Sequence, residues 1–186
     1  MKSLHEHYCK NQDNFPLEKF FQTGVGRGQK VLLIGESPAG NGWRKSGKAC
    51  CTPEGKLLPT GQRLNELLNP FNLTVDKCGF TELSKCYIGK DRKLLKSCSQ
   101  KCWPIFLKQL NTHHCKLLII LGVHTTNLFD WLSGYDLQVG KLTKITLQER
   151  NYTILPIYHP SPINPYSRQK NKRIFEILQK DIEKFL

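Results

Sequence analysis

Val31-Leu-Leu-Ile-Gly-Glu-Ser-Pro-Ala39 runs from four apolar residues into a turn that carries a carboxylate and a hydroxyl. A short apolar run that ends in turn residues reads as a strand covered on both faces, the kind found in parallel sheets. With this strand taken as residues 30–34, three further runs have the same character, at residues 79–83, 117–121 and 153–158. Apolar residues at helical spacing fall between and after them. These stretches are residues 60–68 (Leu64, Leu67 and Leu68 on one face), 98–110, 123–131 and 168–185 (Ile174, Ile177, Leu178 and Ile182). Strands alternating with helices predict an α/β fold, a three-layer α/β/α sandwich around a central, mainly parallel four-stranded sheet. A chain of 186 residues is long enough for one well-packed domain and short for two.

The last strand also ends in a turn with reactive groups, His159-Pro-Ser-Pro162. Groups at the carboxyl ends of parallel strands converge on one crevice in an open α/β sheet, so Glu36 and His159 are expected to face one ligand although they lie far apart in sequence. The glycine-rich stretch at residues 24–28 precedes a strand, whereas a dinucleotide-binding loop follows one and opens a helix. Residues 38–59 lack periodicity and read as a long loop beside the first motif; loops of that length are usually functional or disordered.

The formal charge is +13, from 28 Lys and Arg against 15 Asp and Glu. That excess attracts a polyanion at long range and makes nucleic acid the leading partner, with a generally basic surface as the plain alternative. Residues 1–15 lack the apolar core of a signal peptide, and the longest apolar stretch, 117–121, is far too short to span a bilayer. The expectation is a cytoplasmic chain without membrane attachment, whose eight cysteines are thiols or metal ligands rather than disulfides.

Six stretches, in order, resemble the uracil-DNA glycosylase superfamily, most closely its family 4 type. They are residues 31–39, Gly61-Gln-Arg-Leu-Asn-Glu-Leu-Leu68, Phe80-Thr-Glu-Leu-Ser-Lys-Cys86, Cys102-Trp-Pro-Ile-Phe-Leu-Lys-Gln-Leu110, Leu118-Ile-Ile-Leu-Gly122 and Tyr158-His-Pro-Ser-Pro162. The last of these also has some likeness to the single-strand-selective type. The chemistry agrees with the resemblance. Breaking an N-glycosidic bond builds positive charge on the sugar and negative charge on the departing base, and a donor beside a base carbonyl stabilises the latter. The resemblance implies His159 as that donor and Glu36 as the group that stabilises the sugar cation or orients water. A Glu36 that merely bonds backbone amides in its turn is the alternative.

The resemblance further implies that Gly35, Ser37, Trp43 and Glu82 surround the base. The stiff segment Pro160-Ser-Pro-Ile-Asn-Pro165 is implied to enter DNA, with Ile163 or a neighbour as the wedge and Ser161, Pro162, Asn164, Arg168 and Lys85 near the backbone. Lys45, Lys48, Lys90, Arg92, Lys93, Lys170, Lys172 and Arg173 would complete a phosphate-binding rim.

Three departures mark this chain. Glu82 stands where family 4 members carry an asparagine; an ionised carboxylate only accepts, so it suits two adjacent donors, as on a guanine-like edge. A Glu82 paired with Lys85 is the alternative. The family's [4Fe-4S] cluster takes four cysteines, and Cys86 and Cys102, sixteen positions apart, match one pair, but Cys9 faces Gln12 in place of its partner. Either Cys98 substitutes or the cluster is lost, with loss favoured; a zinc site from Cys86, Cys98, Cys102 and His113 or Cys115 is a further possibility. No cofactor is required for the chemistry. Finally, residues 52–60 lack the aromatic that usually stacks on the base, which leaves Trp43 from the preceding loop either as its replacement or as an anchor of that loop to the core.

The sequence therefore leads to a monomeric DNA-repair glycosylase acting on a deaminated or damaged base, with no obligate protein partner. A non-catalytic nucleic-acid binder and a small-molecule nucleoside hydrolase are its rivals.

Overall fold

The computed structural model describes residues 21–39, 43–89, 91–163 and 165–186. Its strands are β1 (Phe21–Gln22), β2 (Val31–Gly35), β3 (Gly79–Glu82), β4 (Leu117–Leu121), β5 (Thr143–Leu147) and β6 (Arg150–Ile157), in the spatial order β1-β3-β2-β4-β6-β5. The four expected strands form the inner run β3-β2-β4-β6, and all three of its pairings are parallel. β2 and β4 are buried along their whole length, as central strands of a parallel sheet must be.

The sheet has six strands rather than four, because two short antiparallel edges were invisible as apolar runs. β1 is two residues long and pairs with β3. β5 buries Ile145 and Leu147 but turns Lys144 and Thr146 to solvent, and it pairs with β6. The hairpin between β5 and β6 turns at Gln148 and Glu149, both at positive φ (47° and 65°), which is the backbone of a type I′ turn. That pairing also starts β6 at Arg150, before the apolar run that marked it.

The helices are α1 (Trp43–Ser46), α2 (Pro59–Leu68), α3 (Arg92–Thr112), α4 (Val123–Ser133) and α5 (Pro165–Glu183). α3 begins six residues before the expected 98, because the Asp91 carboxylate accepts from the Leu94 amide at 2.9 Å and caps the helix there. α1 occupies part of the loop read between residues 38 and 59.

Right-handed crossovers set the layers. The chain passes from β2 to β3 through α2 on one face, then reverses direction to reach β4 through α3 and β6 through α4 on the other. Accordingly α2 packs with α5, and α3 with α4. On the α3–α4 side Trp103 stacks on Phe106 (5.0 Å between ring centroids), and both meet Phe129 edge-on. On the other side Phe71 meets Phe175 at 6.0 Å. Among the described residues no helix is long and apolar enough to cross a membrane.

The reversal after β3 makes the carboxyl ends of β2 and β4 a topological switch point: their connections leave toward opposite faces and open a crevice. Phe106 lies fully buried at the centre of the aromatic cluster. Truncation to alanine leaves a cavity, so Phe106→Ala is expected to lose about 3–5 kcal/mol of stability in urea unfolding.

Candidate active site

One pocket, with a volume of about 410 Å³, sits at this switch point. Each inner strand contributes to its lining: Gly35, Glu36 and Ser37 after β2, Phe80 and Glu82 from β3, Leu121 to Thr125 where β4 passes into α4, and His159 after β6. Trp43, Cys50, Leu58 and Thr60 close the side facing α1 and α2, and Arg92 enters from the start of α3. Gly35, Glu36, Ser37, Trp43, Glu82 and His159, all expected from sequence to surround the ligand, thus meet in one cavity.

Two glycines make the convergence possible. Gly35 is the register partner of Glu82, and a Cβ on it would lie 3.0 Å from the Glu82 Cγ and 3.3 Å from Oε1. Gly122 has φ +110°, and a Cβ there would lie 3.1 Å from the His159 Cβ. A side chain at either position would push aside a residue that lines the pocket.

Glu36 does not bond its own turn through its carboxylate. Arg92 Nη1 donates to both Glu36 oxygens at 2.7 Å, and the two turns are laced together as Leu83 N donates to Gly35 O and Ser84 N to Glu36 O. His159 is positioned by α5: buried Asn171 accepts from Tyr158 N at 2.9 Å and donates to Tyr158 O at 2.7 Å, fixing the backbone one residue before the imidazole. The imidazole has a solvent-exposed side, yet partial desolvation holds its pKa below the ordinary histidine value, with the Glu36 carboxylate opposing that shift.

Glu82 is only 7% exposed, and its Oε2 is buried without a hydrogen-bond partner. Burial pushes its carboxyl up to about 8; Lys85 opposes the shift and Glu36 adds to it. The ion pair with Lys85 is not formed. Lys85 Nζ donates instead to Thr81 Oγ1 and to the Glu82 carbonyl oxygen at 2.6 Å, and burial lowers its pKa to about 8. Lys85 is fully buried, so it does not stand on a DNA-facing rim as the sequence suggested.

Trp43 is a buried wall of the pocket and packs edge-on against Phe80, 5.1 Å between centroids. Phe80 was missed, although its place two residues before Glu82 on one strand puts both on the same face. His124 was missed as well; it follows the strand end at Gly122 and was open to the argument that found Glu36 and His159.

Beyond the pocket, Arg63 Nη1 donates to Ser161 O at 2.7 Å, and Ser161 Oγ accepts from Ile163 N at 3.3 Å. Pro162 is exposed, and Ile163 projects with 91% of its surface free. Arg168 makes a forked pair with Glu66 at 2.8 and 2.9 Å. Lys48, Arg92, Lys93, Lys170, Lys172 and Arg173 are exposed; Asn164, Lys90 and the side chain of Lys45 lie outside the described residues.

Cys9 lies outside the described residues, and among those described no three His, Cys, Asp or Glu side chains converge to hold a metal ion. Cys86, Cys98 and Cys102 are each buried in the core, where Cys102 Sγ accepts from Lys85 N at 3.4 Å. Among the described residues the zinc set drawn from them with His113 or Cys115 is not assembled.

No curated protein matches the chain. The sequence model of the Uracil DNA glycosylase superfamily matches residues 23–183, a span that holds every element from β2 to α5. The whole pocket falls inside that span, and the chain belongs to the uracil DNA glycosylase superfamily.

Proposed function

We propose that the protein hydrolyses the bond between deoxyribose and a deaminated or damaged base flipped out of DNA. Membership of the superfamily supports a DNA glycosylase-like function in general. The observation that carries the specific reading is the convergence of Glu36, Glu82 and His159 in one pocket at the switch point. Its volume of about 410 Å³ is within the range of small-molecule sites and leaves no room for duplex, so a base must leave the stack to enter.

In this reading the base lies against Trp43 and Phe80 with its polar edge toward Glu82. His159, neutral because its pKa is held down, donates a hydrogen bond to the carbonyl oxygen where negative charge gathers as the bond breaks. Glu36 supports the sugar cation or the attacking water, its orientation fixed by Arg92. The exposed Ile163 on its proline-stiffened turn fills the gap left in the stack, and Lys93, Lys170 and Lys172 neutralise phosphates. The anchor stretches remain most similar to family 4. No step of this chemistry calls for a cofactor.

Abasic-site formation on single- and double-stranded oligonucleotides carrying uracil, hypoxanthine, xanthine or an alkylated base tests the reading. His159→Ala is expected to slow release by about 10²–10³-fold, the scale of one lost transition-state donor, with oligonucleotide affinity retained. Failure of the parent protein to release any base would leave a nucleic-acid binder. Ile163→Ala is expected to slow release from duplex more than from single strands, where no stack must be refilled; equal effects on both would remove the wedge from the account. Oligonucleotide affinity should also fall steeply with salt, whereas a nucleoside hydrolase acting on small substrates would show almost no salt dependence.

A further inference from the structure

The Glu82 carboxyl occupies a setting that suits a neutral acid better than an ion. Oε2 is buried and unpartnered at the pocket floor, and the surrounding groups are Gly35, Phe80, Trp43 and the Cys50 thiol. An ionised carboxylate placed there without a bonded cation leaves an uncompensated buried charge. The charged groups around it are otherwise engaged or repulsive. Glu36, from the β2 turn, is a like charge; Arg92, from α3, is committed to Glu36. Lys85, from behind β3, gives its protons to Thr81 Oγ1 and the Glu82 main chain. His159 and His124 enter from the β6 and β4 ends.

We propose that Glu82 stands in the pocket as a neutral carboxylic acid and reads the edge of the bound base, donating from its O–H and accepting at its carbonyl oxygen. This deepens the glycosylase reading and rests on it. The protonation state decides which base edge fits. A carboxylate accepts only and selects two adjacent donors, whereas the acid pairs with one donor beside one acceptor, such as the N–H and C=O of an imide or lactam edge. Deaminated bases carry that edge, so the structure replaces the guanine-like edge expected from an ionised Glu82 with a lactam one. Filling the pocket also gives Oε2 the partner it lacks.

The pH dependence follows in sign. With the Glu82 carboxyl raised to about 8, the acid predominates at neutral pH, and its donor is lost as pH rises through that value. Base release should then fall about tenfold per pH unit on the alkaline side, the slope of a single lost proton.

Infrared difference spectroscopy of the full chain, run beside base release on uracil and hypoxanthine oligonucleotides over one pH series, tests this. Expected is a protonated-carboxyl C=O band at neutral pH that vanishes through the alkaline transition, in step with the release rate. Glu82→Gln keeps a donor and an acceptor but has no proton to lose. It should lack the band, and its release rate should be flat over that range; Glu82→Asn serves in its place if that variant does not fold. A missing wild-type band with base release intact overturns the inference alone, as does a release rate that is constant or rises through the transition. If the band is present but no base is released at any pH, the glycosylase reading has failed and the role of Glu82 as reader falls with it.

Discussion

β2 is hydrogen-bonded in parallel to β3 through the pairs Leu32↔Gly79 to Gly35↔Glu82, and to β4 through Val31↔Leu117 to Ile34↔Ile120. Side chains alternate across a sheet with period two, so a slip of one residue in the first register would turn Phe80 and Glu82 away from the pocket and bring Thr81 to its floor. Gly35 favours this register, since a Cβ at the position paired with Glu82 would lie 3.0 Å from the Glu82 Cγ. From this register follow the meeting of Gly35 with Glu82, the lacing of the turns after β2 and β3, and the crevice that opens where the connections diverge.

The pocket is organised by unequal treatment of its charges. Glu36 is only partly buried and is held by a guanidinium, while Glu82 is deeply buried and has no cation bonded to its carboxyl among the described residues. Burial pushes the Glu82 carboxyl up to about 8, so the proposed neutral acid stands beside a carboxylate that is paired with a guanidinium. His159 has its pKa lowered by partial desolvation, which favours a neutral imidazole in the pocket. Outside the pocket the balance reverses: among the described residues nearly every Lys and Arg other than Lys85 is solvent-exposed, an arrangement that favours a polyanion at long range.

The inner sheet was legible because a strand buried on both faces is a run of apolar residues, and Leu117–Leu121 was bounded to the residue. The edges were not. β1 is too short to form a pattern, and β5 alternates buried and exposed residues in a way that a search for apolar runs passes over. Glu36 and His159 were legible because each closes such a run. His124 and Cys50 lay at a strand end or in the loop beside the first motif but carried no motif of their own, and Phe80 opened a quoted stretch in which only Glu82 and Lys85 were read as site residues. Lys85 shows the opposite failure: a lysine in a motif reads as a surface cation, and only three-dimensional structure shows it turned inward to Thr81 and the Glu82 carbonyl. Sequence could raise protonation of Glu82 as an option but not decide it, since it depends on how completely the folded pocket removes the carboxyl from water.

The most direct measurement of the central claim is a single-turnover reaction with protein in excess over an oligonucleotide bearing one deaminated base, in which free base and abasic strand are both quantified. The account predicts that the two appear together in equal amounts. Intact oligonucleotide bound by the protein, with no free base at any time for any base on the panel, would contradict it.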